Sequence, residues 1–386
     1  MSELYKPLRS LNQGHWFKLI CGASFQHLPA VRNLALAYAL AGADCIDVAA
    51  EPAAIAATQE ALQVANKLRC DAQQRGFNYQ GSPWLMVSIN DGEDPHFRKA
   101  EFNPAVCPPQ CPRPCEKICP AQAIVFERDN FSGVVQDRCY GCGRCLPICP
   151  SDLISTHSYV STPGAVAPLV LSTGVDAVEI HTQIGRTTEF ERLWQAIKPW
   201  VNQLKVVAIS CPDGDGMIEY LWSLYHIVAP LPCALIWQTD GRPMSGDIGN
   251  GTTLAAVKLS QKVLAAGLPG YVQLAGGTNN YTVEKLKATG LINRAGDDDI
   301  DVRLGSQELM KTNSPNLKPS RAFISGIAYG SYARVLLSPL LEQLEQTPMN
   351  QATVVPLCLE ENSELLWQAV KLANSLVSQL KSAQQC

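Results

Sequence analysis

"FKLICGASFQHLPAVRNLALAYALAGADCIDVAA", residues Phe17 to Ala50, reads as a strand, a helix and a second strand. The outer pieces, "FKLICGAS" (Phe17 to Ser24) and "ADCIDVAA" (Ala43 to Ala50), are short aliphatic and β-branched runs. The piece between them, "PAVRNLALAYALAGA", is a helical stretch that stops at a glycine, the usual helix stop. The same rhythm recurs in "WLMVSIN" (Trp84 to Asn90), "DAVEIHT" (Asp176 to Thr182), "KVVAISC" (Lys205 to Cys211), "CALIWQTD" (Cys233 to Asp240), "GYVQLAG" (Gly270 to Gly276) and "AFISGIA" (Ala322 to Ala328). Helical stretches such as "PAAIAATQEALQVANKL", "EFERLWQAIKPWV", "TTLAAVKLSQKVLAAG" and "YTVEKLKATG" lie between them. Eight strand–helix units in 386 residues favour an α/β fold of the TIM-type (β/α)8 class over an open doubly wound sheet. No G-x-G-x-x-G follows the first strand, which weighs against a Rossmann fold.

The barrel is expected to be discontinuous. Residues 1–98 and 157–386 form it, with "SELLWQAVKLANSLVSQL" as an extra C-terminal helix whose plain role is packing. Residues 99–156 are an insert after the third strand. Loops that follow strands lie at the C-terminal mouth, so the insert is expected over or beside that mouth. A second, polar insert, Asn293 to Ser320, falls on the helix-to-strand side and reads as a mobile loop.

Eight of the fifteen cysteines belong to the first insert. "CYGCGRCLPICP" places Cys139, Cys142, Cys145 and Cys149 at gaps of two, two and three, followed by Pro150. That is the bacterial ferredoxin spacing for a cubane iron–sulfur cluster, in which the fourth cysteine serves the other cluster. Gly141 and Gly143 let the backbone curl around such a cube, and the proline turns the chain away without a stray donor. "ICPAQAI" (Ile118 to Ile124) repeats as "ICPSDLI" (Ile148 to Ile154), which suggests two pseudo-symmetric units. Cross-ligation then assigns Cys119, Cys139, Cys142 and Cys145 to one [4Fe-4S] cluster and Cys107, Cys111, Cys115 and Cys149 to a second. The insert is thus a ferredoxin-like 2[4Fe-4S] domain, with "AIVFERDNFSGVVQDRC" as a hairpin around Asp129-Asn130. The first run, "CPPQCPRPCEKICP", departs from the pattern with gaps of three throughout, so its cluster has a three-iron [3Fe-4S] or labile form as the alternative. Zinc or structural thiols are the plainer alternative for both runs, although tetrahedral zinc sites draw on paired C-x2-C elements. The remaining cysteines, Cys21, Cys45, Cys70, Cys211, Cys233, Cys358 and Cys386, are scattered and read mostly as small core residues.

A formal charge of -4 offers no basic field for nucleic acid or an anionic membrane. The longest uncharged apolar-rich run, Asn33 to Ala43, is too short to span a bilayer. The opening "MSELYKPLRSLNQGHW" lacks the apolar core of a signal peptide, so a cytoplasmic location is expected, where fifteen cysteines need a reason other than disulfides.

Strand ends contribute Ser24, Asp47, Glu51, Asn90, Glu179, His181, Ser210, Asp213 and Asp240 to the mouth, and Asp47, Glu51 and His181 are a candidate acid–base set. An acidic mouth that merely solvates itself or clamps the insert is the competing reading. After the seventh strand, "AGGTNNYT" carries Gly276 and Gly277; after the eighth, "GIAYGSYAR" carries Gly330 and Ser331. In flavin- and phosphate-binding barrels those two loops cradle the phosphate, which makes the four residues a candidate site for phosphate or FMN; ordinary turn chemistry is the alternative. "TDGRPMSGDIGNGTT" (Thr239 to Thr253) is a glycine-rich loop without a Walker or dinucleotide fingerprint, read as a lid, a ligand loop or a surface turn.

The eight-cysteine segment, joined to "KLICGASFQ", "ADCIDVAAEP", "VEIHTQIGR" and "DGRPMSGDIGNGTT", resembles the cyanobacterial light-dependent period (LdpA) family over nearly the whole chain. The resemblance implies an iron–sulfur redox sensor that reports cellular redox state, a proxy for light, to the circadian clock, with clock input kinases and Kai proteins as partners. It implies no catalytic residues, and the sensor reading makes the chain an electron-carrying sensor rather than an enzyme. The rival reading is a flavin- or substrate-binding barrel oxidoreductase in which the clusters relay electrons. A structural module using metal only as a staple is the third.

Overall fold

The computed structural model describes residues 6–128, 131–242, 248–249, 251–292, 323–346 and 358–381. The chain opens with α1 (Lys6–Gln13), β1 (Trp16–Ile20), α2 (Leu28–Ala41), β2 (Cys45–Ala49), α3 (Pro52–Lys67), α4 (Arg69–Gln74) and β3 (Trp84–Asn90). It then leaves the barrel through β4 (Arg98–Glu101), α5 (Pro114–Ile118), β5 (Ile124–Arg128), β6 (Phe131–Val134) and β7 (Ser155–Ser158). It returns with α6 (Pro163–Leu171), β8 (Ala177–His181), α7 (Thr187–Ile197), β9 (Val206–Ser210), α8 (Met217–Val228), β10 (Ala234–Asp240) and α9 (Thr253–Ala265). The last turns of the ring are β11 (Tyr271–Ala275), α10 (Thr282–Thr289), β12 (Gly326–Tyr329) and α11 (Ser331–Gln346), followed by α12 (Ser363–Lys381).

Strands β1, β2, β3, β8, β9, β10, β11 and β12 form a closed parallel barrel, with β12 pairing back to β1. β3 pairs directly with β8, Met86 against Ala177 and Asn90 against His181, so the excursion between them does not interrupt the sheet. The excursion stands on an antiparallel ribbon, β4 against β7, with Arg98 opposite Ser158. A second antiparallel pair, β5 with β6, lies within it. The turn expected at Asp129-Asn130 lies outside the described residues, as do the polar insert Asn293 to Ser320 and part of the loop Thr239 to Thr253.

Trp84–Asn90 matches its expected strand, five others are trimmed by one or two residues at one or both ends, and two are displaced further. β1 stops at Ile20, because Gly22 at φ 126 turns the chain out of the sheet before Ser24. β12 begins only at Gly326, pressed against Trp16: a Cβ there would meet the Trp16 carbonyl at 2.4 Å.

The barrel interior is layered, and strand periodicity explains how. Trp16, Cys45, Trp84, Met86, Ala177, Val206, Ala208 and Ile236 form one apolar cluster, plugged by Leu11 of α1. Two residues further along their strands come Lys18, Asp47, Ser88, Glu179, Ser210 and Gln238, all buried. Side chains two apart share a strand face, so an apolar floor gives way to a polar layer towards the mouth. Outside the strands, the helices bury the main core; α12 contributes Leu366, Ala369, Val370, Ala373 and Val377 to it, packed on α2 and α11. Its last residue, Lys381, pairs with buried Asp44 and donates to Ser10 Oγ at 3.0 Å, tying the C-terminal helix to the N-terminal end of the barrel. No helix among the described residues is long and apolar enough to cross a membrane.

Candidate functional site

The polar layer is a buried ion network. Lys18, fully buried on β1, pairs with Glu179 of β8 and lies 3.3 Å from Asp47 of β2. Burial opposes its charge, but the two carboxylates outweigh burial and hold the ammonium above its ordinary range. Glu179 also meets His181 Nε2 at 2.9 Å. Despite burial, Lys18 and His181 keep the Glu179 carboxyl well below the usual carboxylate range. His181 is pushed up to about 9, because Glu179 and Asp94 overcome the desolvation of the imidazolium. Asp47, unlike Glu179, is raised, to about 6: burial dominates, Lys18 offsets it only in part, and Ser88 Oγ donates to it at 2.8 Å. Gln238 joins Glu179 to Asp240 (3.0 Å), and Ser210 donates to Asp240.

The structure sorts the mouth residues expected from sequence. Asp47, Glu179, His181 and Asp240 line one cavity at the open end. Glu51 does not join them; it is exposed, sits at the N-terminal boundary of α3 without a side-chain capping bond and accepts from Gln26 at 2.8 Å, so the set Asp47, Glu51 and His181 is not assembled. The reason is strand phase: Glu51 lies beyond the end of β2 and turns outward with the helix start. Asp213 is exposed and pairs with Lys262 at 2.7 Å. Asn90 bonds the backbone of Tyr159 and Ser161, holding the return of the excursion to the barrel. Ser24 reaches the Arg98 carbonyl at 3.4 Å. Sequence reasoning missed Lys18, Gln238 and His96; the signal for Lys18 was a lone charge inside the apolar run "WFKLI".

The same cavity is also lined by Gly276, Gly277 and Thr278 after β11, and by Gly330, Ser331 and Arg334 after β12. Gly276 (φ 68) and Gly277 (φ 90) are both left-handed, and a Cβ on Gly277 would meet the Thr252 carbonyl at 2.7 Å. The four residues Gly276, Gly277, Gly330 and Ser331 therefore line the same cavity as Asp47, Glu179, His181 and Asp240.

In the excursion, the thiols fall into two groups. Cys119, Cys139, Cys142 and Cys145 line one small cavity with Ala100, Ala123 and Ile124. Burial, then Cys142, Cys119 and Cys139, push Cys145 up to about 12. Cys107 has Cys111 as its hydrogen-bonding neighbour, and burial, Cys111 and Cys149 raise it; burial and then Cys149 and Cys111 raise Cys115. The sequence repeat is also a structural one. Gln122 (φ 47) and Asp152 (φ 49) take the same left-handed turn. Each turn aims the next amide at a sulfur: Ala123 N–H donates to Cys119 Sγ at 3.2 Å and Leu153 N–H to Cys149 Sγ at 3.4 Å. Ala100 N–H donates to Cys139 Sγ at 3.3 Å. Four converging thiols with amide donors on sulfur, walled by apolar side chains, suit an iron–sulfur cluster. Among the scattered cysteines, Cys21, Cys45 and Cys211 are buried, whereas Cys70 is exposed, and Cys386 lies outside the described residues.

Tyr140 joins the two regions. It lines both the thiol cavity and the barrel-mouth cavity, with Arg334 4.0 Å over its ring and Phe25 edge-on at 5.7 Å. Arg334 is anchored in turn by the Ile20 carbonyl at 2.7 Å and Ser331 Oγ at 3.1 Å.

Residues 107–160 match the family model of the LdpA Fe-S cluster-binding domain, and residues 169–379 that of the light dependent period A C-terminal domain. The chain is 49% identical over 377 residues to the light dependent period A protein of Synechococcus elongatus, covering 98% of this chain and 94% of that protein. It is 28% identical over 96 residues to the arsenate respiratory reductase iron-sulfur subunit ArrB of a Shewanella species, covering 22% of this chain and 41% of that one. The chain carries an iron–sulfur cluster-binding domain on a closed eight-stranded parallel barrel. With 49% identity to the Synechococcus elongatus relative along nearly its whole length and matches to both domain models, the chain belongs to the light dependent period A family.

Proposed function

We propose that this chain is a cytoplasmic iron–sulfur redox sensor in the light-dependent control of circadian period. In this reading residues 99–156 form a ferredoxin-like domain inserted in the barrel. Cys119, Cys139, Cys142 and Cys145 hold one [4Fe-4S] cluster, and Cys107, Cys111, Cys115 and Cys149 hold a second, whose wider first loop leaves a [3Fe-4S] or labile form open. Such clusters supply one-electron exchange when bound. The observation that carries the reading is Tyr140, which lines the thiol cavity and the barrel mouth together and is clamped by Arg334. A change of charge beside Cys139 and Cys142 is felt at Tyr140 and Arg334 across a buried wall, where electrostatic effects are large, and it biases the loops after β1 and β12. The name of the Synechococcus elongatus relative supports the role in period control. Clock input kinases and Kai proteins are the proposed partners, recognising the state of this face.

Iron, acid-labile sulfide and the visible spectrum of the anaerobically purified protein test the reading. About eight irons per chain are expected for two cubanes, with Cys142→Ala losing one cluster's signal and Cys358→Ala losing none. Fewer than about four irons would remove the two-cluster assignment.

The rival reading, a barrel oxidoreductase with the clusters as relay, draws on Gly276, Gly277, Gly330 and Ser331 lining the same cavity as the buried Asp47, Glu179, His181 and Asp240. Flavin released on denaturation would favour it.

A further inference from the structure

We propose that the barrel mouth contains a second metal site, unrelated to the thiols, in which Asp94, His96 and His181 bind one divalent first-row transition-metal ion. His181 ends β8, and Asp94 and His96 belong to the tight turn Pro95–Phe97 that follows β3, the strand hydrogen-bonded to β8. One ligand atom from each of the three lies within 4.8 Å of the others. The His96 and His181 rings sit 4.5 Å apart.

The observation that points to a ligand is His181 Nδ1. This nitrogen is buried without a hydrogen-bond partner on a residue only 3% exposed. Asp94 Oδ1 is 3.8 Å away, beyond hydrogen-bond range. In the metal-free chain that nitrogen carries the proton that Glu179 and Asp94 favour on the ring, a buried donor with no hydrogen-bond partner; a metal ion displaces the proton and satisfies the nitrogen. The other ring nitrogen is already engaged as in known metal sites: His181 Nε2 meets Glu179 Oε1 at 2.9 Å, which fixes the ring and directs Nδ1 to the metal. Glu179 is itself held by Lys18 and Gln238, so the buried ion network is the support of this histidine. Asp94 holds the turn by accepting the His96 N–H at 2.9 Å, and its carboxylate also meets His96 Nδ1 at 2.6 Å, a contact that the metal replaces.

A neighbouring trio, Glu179, His181 and Asp240, is less suited, because Glu179 is taken by Lys18 and Gln238 and Asp240 by Ser210 and Gln238. Two imidazoles and one carboxylate select a borderline ion such as Zn2+, Fe2+ or Co2+ over Mg2+ or Ca2+. His96 and His181 line the mouth cavity, so the remaining coordination positions open towards whatever occupies it.

The test is an anaerobic titration of the cluster-loaded full chain with Co2+ alone. Expected is one Co2+ per chain with weak visible d–d bands and no sulfur-to-cobalt charge-transfer band. His96→Ala and Asp94→Asn should each weaken that binding by about tenfold or more, with iron and sulfide content unchanged. The His96 side chain is 16% exposed against 4% for His181, so its replacement disturbs the buried network less than a change at His181 would. Wild type that takes up no cobalt, variants that bind it as wild type does, or a cobalt spectrum without the nitrogen and oxygen bands would each overturn the site. The cobalt bands are read as a difference spectrum on chain of measured iron and sulfide content, so cobalt on vacant thiols, which signals failure of the cluster assignment, is distinguished from absence of the nitrogen and oxygen bands, which signals failure of this site.

Discussion

The Arg334 guanidinium, from the helix after the last barrel strand, lies 4.0 Å over the ring of Tyr140, the residue that follows Cys139. One contact thus joins the closing unit of the barrel to the loop that carries three of the eight clustered thiols. Arg334→Leu removes this contact and the bond to the Ile20 carbonyl, and should weaken the seating of the loop by about 1–3 kcal/mol. Hydrogen exchange of the Tyr140 to Arg144 amides should accelerate while the barrel strands keep their protection. Unchanged exchange in that loop would show that Arg334 does not hold it.

Gly141 (φ 71) sits where a Cβ would be 2.3 Å from the Arg98 carbonyl. Neither the left-handed backbone nor the space tolerates a side chain, so Gly141→Ala should displace the Cys139 to Cys145 loop from β4. The measured outcome is iron content: it should fall by about the share of one cluster, as in Cys142→Ala, while Gly174→Ala, which meets nothing within 4 Å, leaves it intact.

Lys18 neutralises Glu179 and part of Asp47 with no access to solvent. Lys18→Met strands buried carboxylates and should cost about 3–5 kcal/mol in urea unfolding. The double variant Lys18→Met/Glu179→Gln should recover part of that loss, because the uncompensated charge is gone. Additive losses would argue that packing, and not charge, is what Lys18 supplies.

Asp47 is raised to about 6 by burial, with Lys18 as a partial offset. An unfolded aspartate titrates near pH 4. Between those values the folded chain holds a proton that the unfolded chain has released, so this group's contribution is full below about pH 4 and is lost as pH rises through about 6. Wild type should therefore lose up to about 3 kcal/mol relative to Asp47→Asn across that interval. Parallel unfolding curves at both ends check the sign; a constant difference would show that Asp47 titrates normally.

The rhythm of apolar runs and glycine-stopped helices made the barrel legible from Phe17 onward, because burial on both faces of a parallel strand leaves a continuous apolar word in the sequence. The repeat "ICPAQAI" and "ICPSDLI" was legible for a related reason: a turn that aims an amide at sulfur is local, and local geometry is written in adjacent residues. Strand ends pointed to Asp47, Glu179, His181 and Asp240, yet the same rule also selected Glu51 and Asp213, which face outward.

Only tertiary structure decided what those residues meet. Lys18, Glu179, Gln238 and His181 come from strands far apart in the chain, and barrel closure sets their depth and phase. Nor could order along the chain place Tyr140 between the thiols and the mouth, since β12 and α11 must first return Arg334 to β1. The alternation of side chains is a property of the backbone and can be read from a line of text; the charges across a barrel act through space, and distance exists only once the chain has closed.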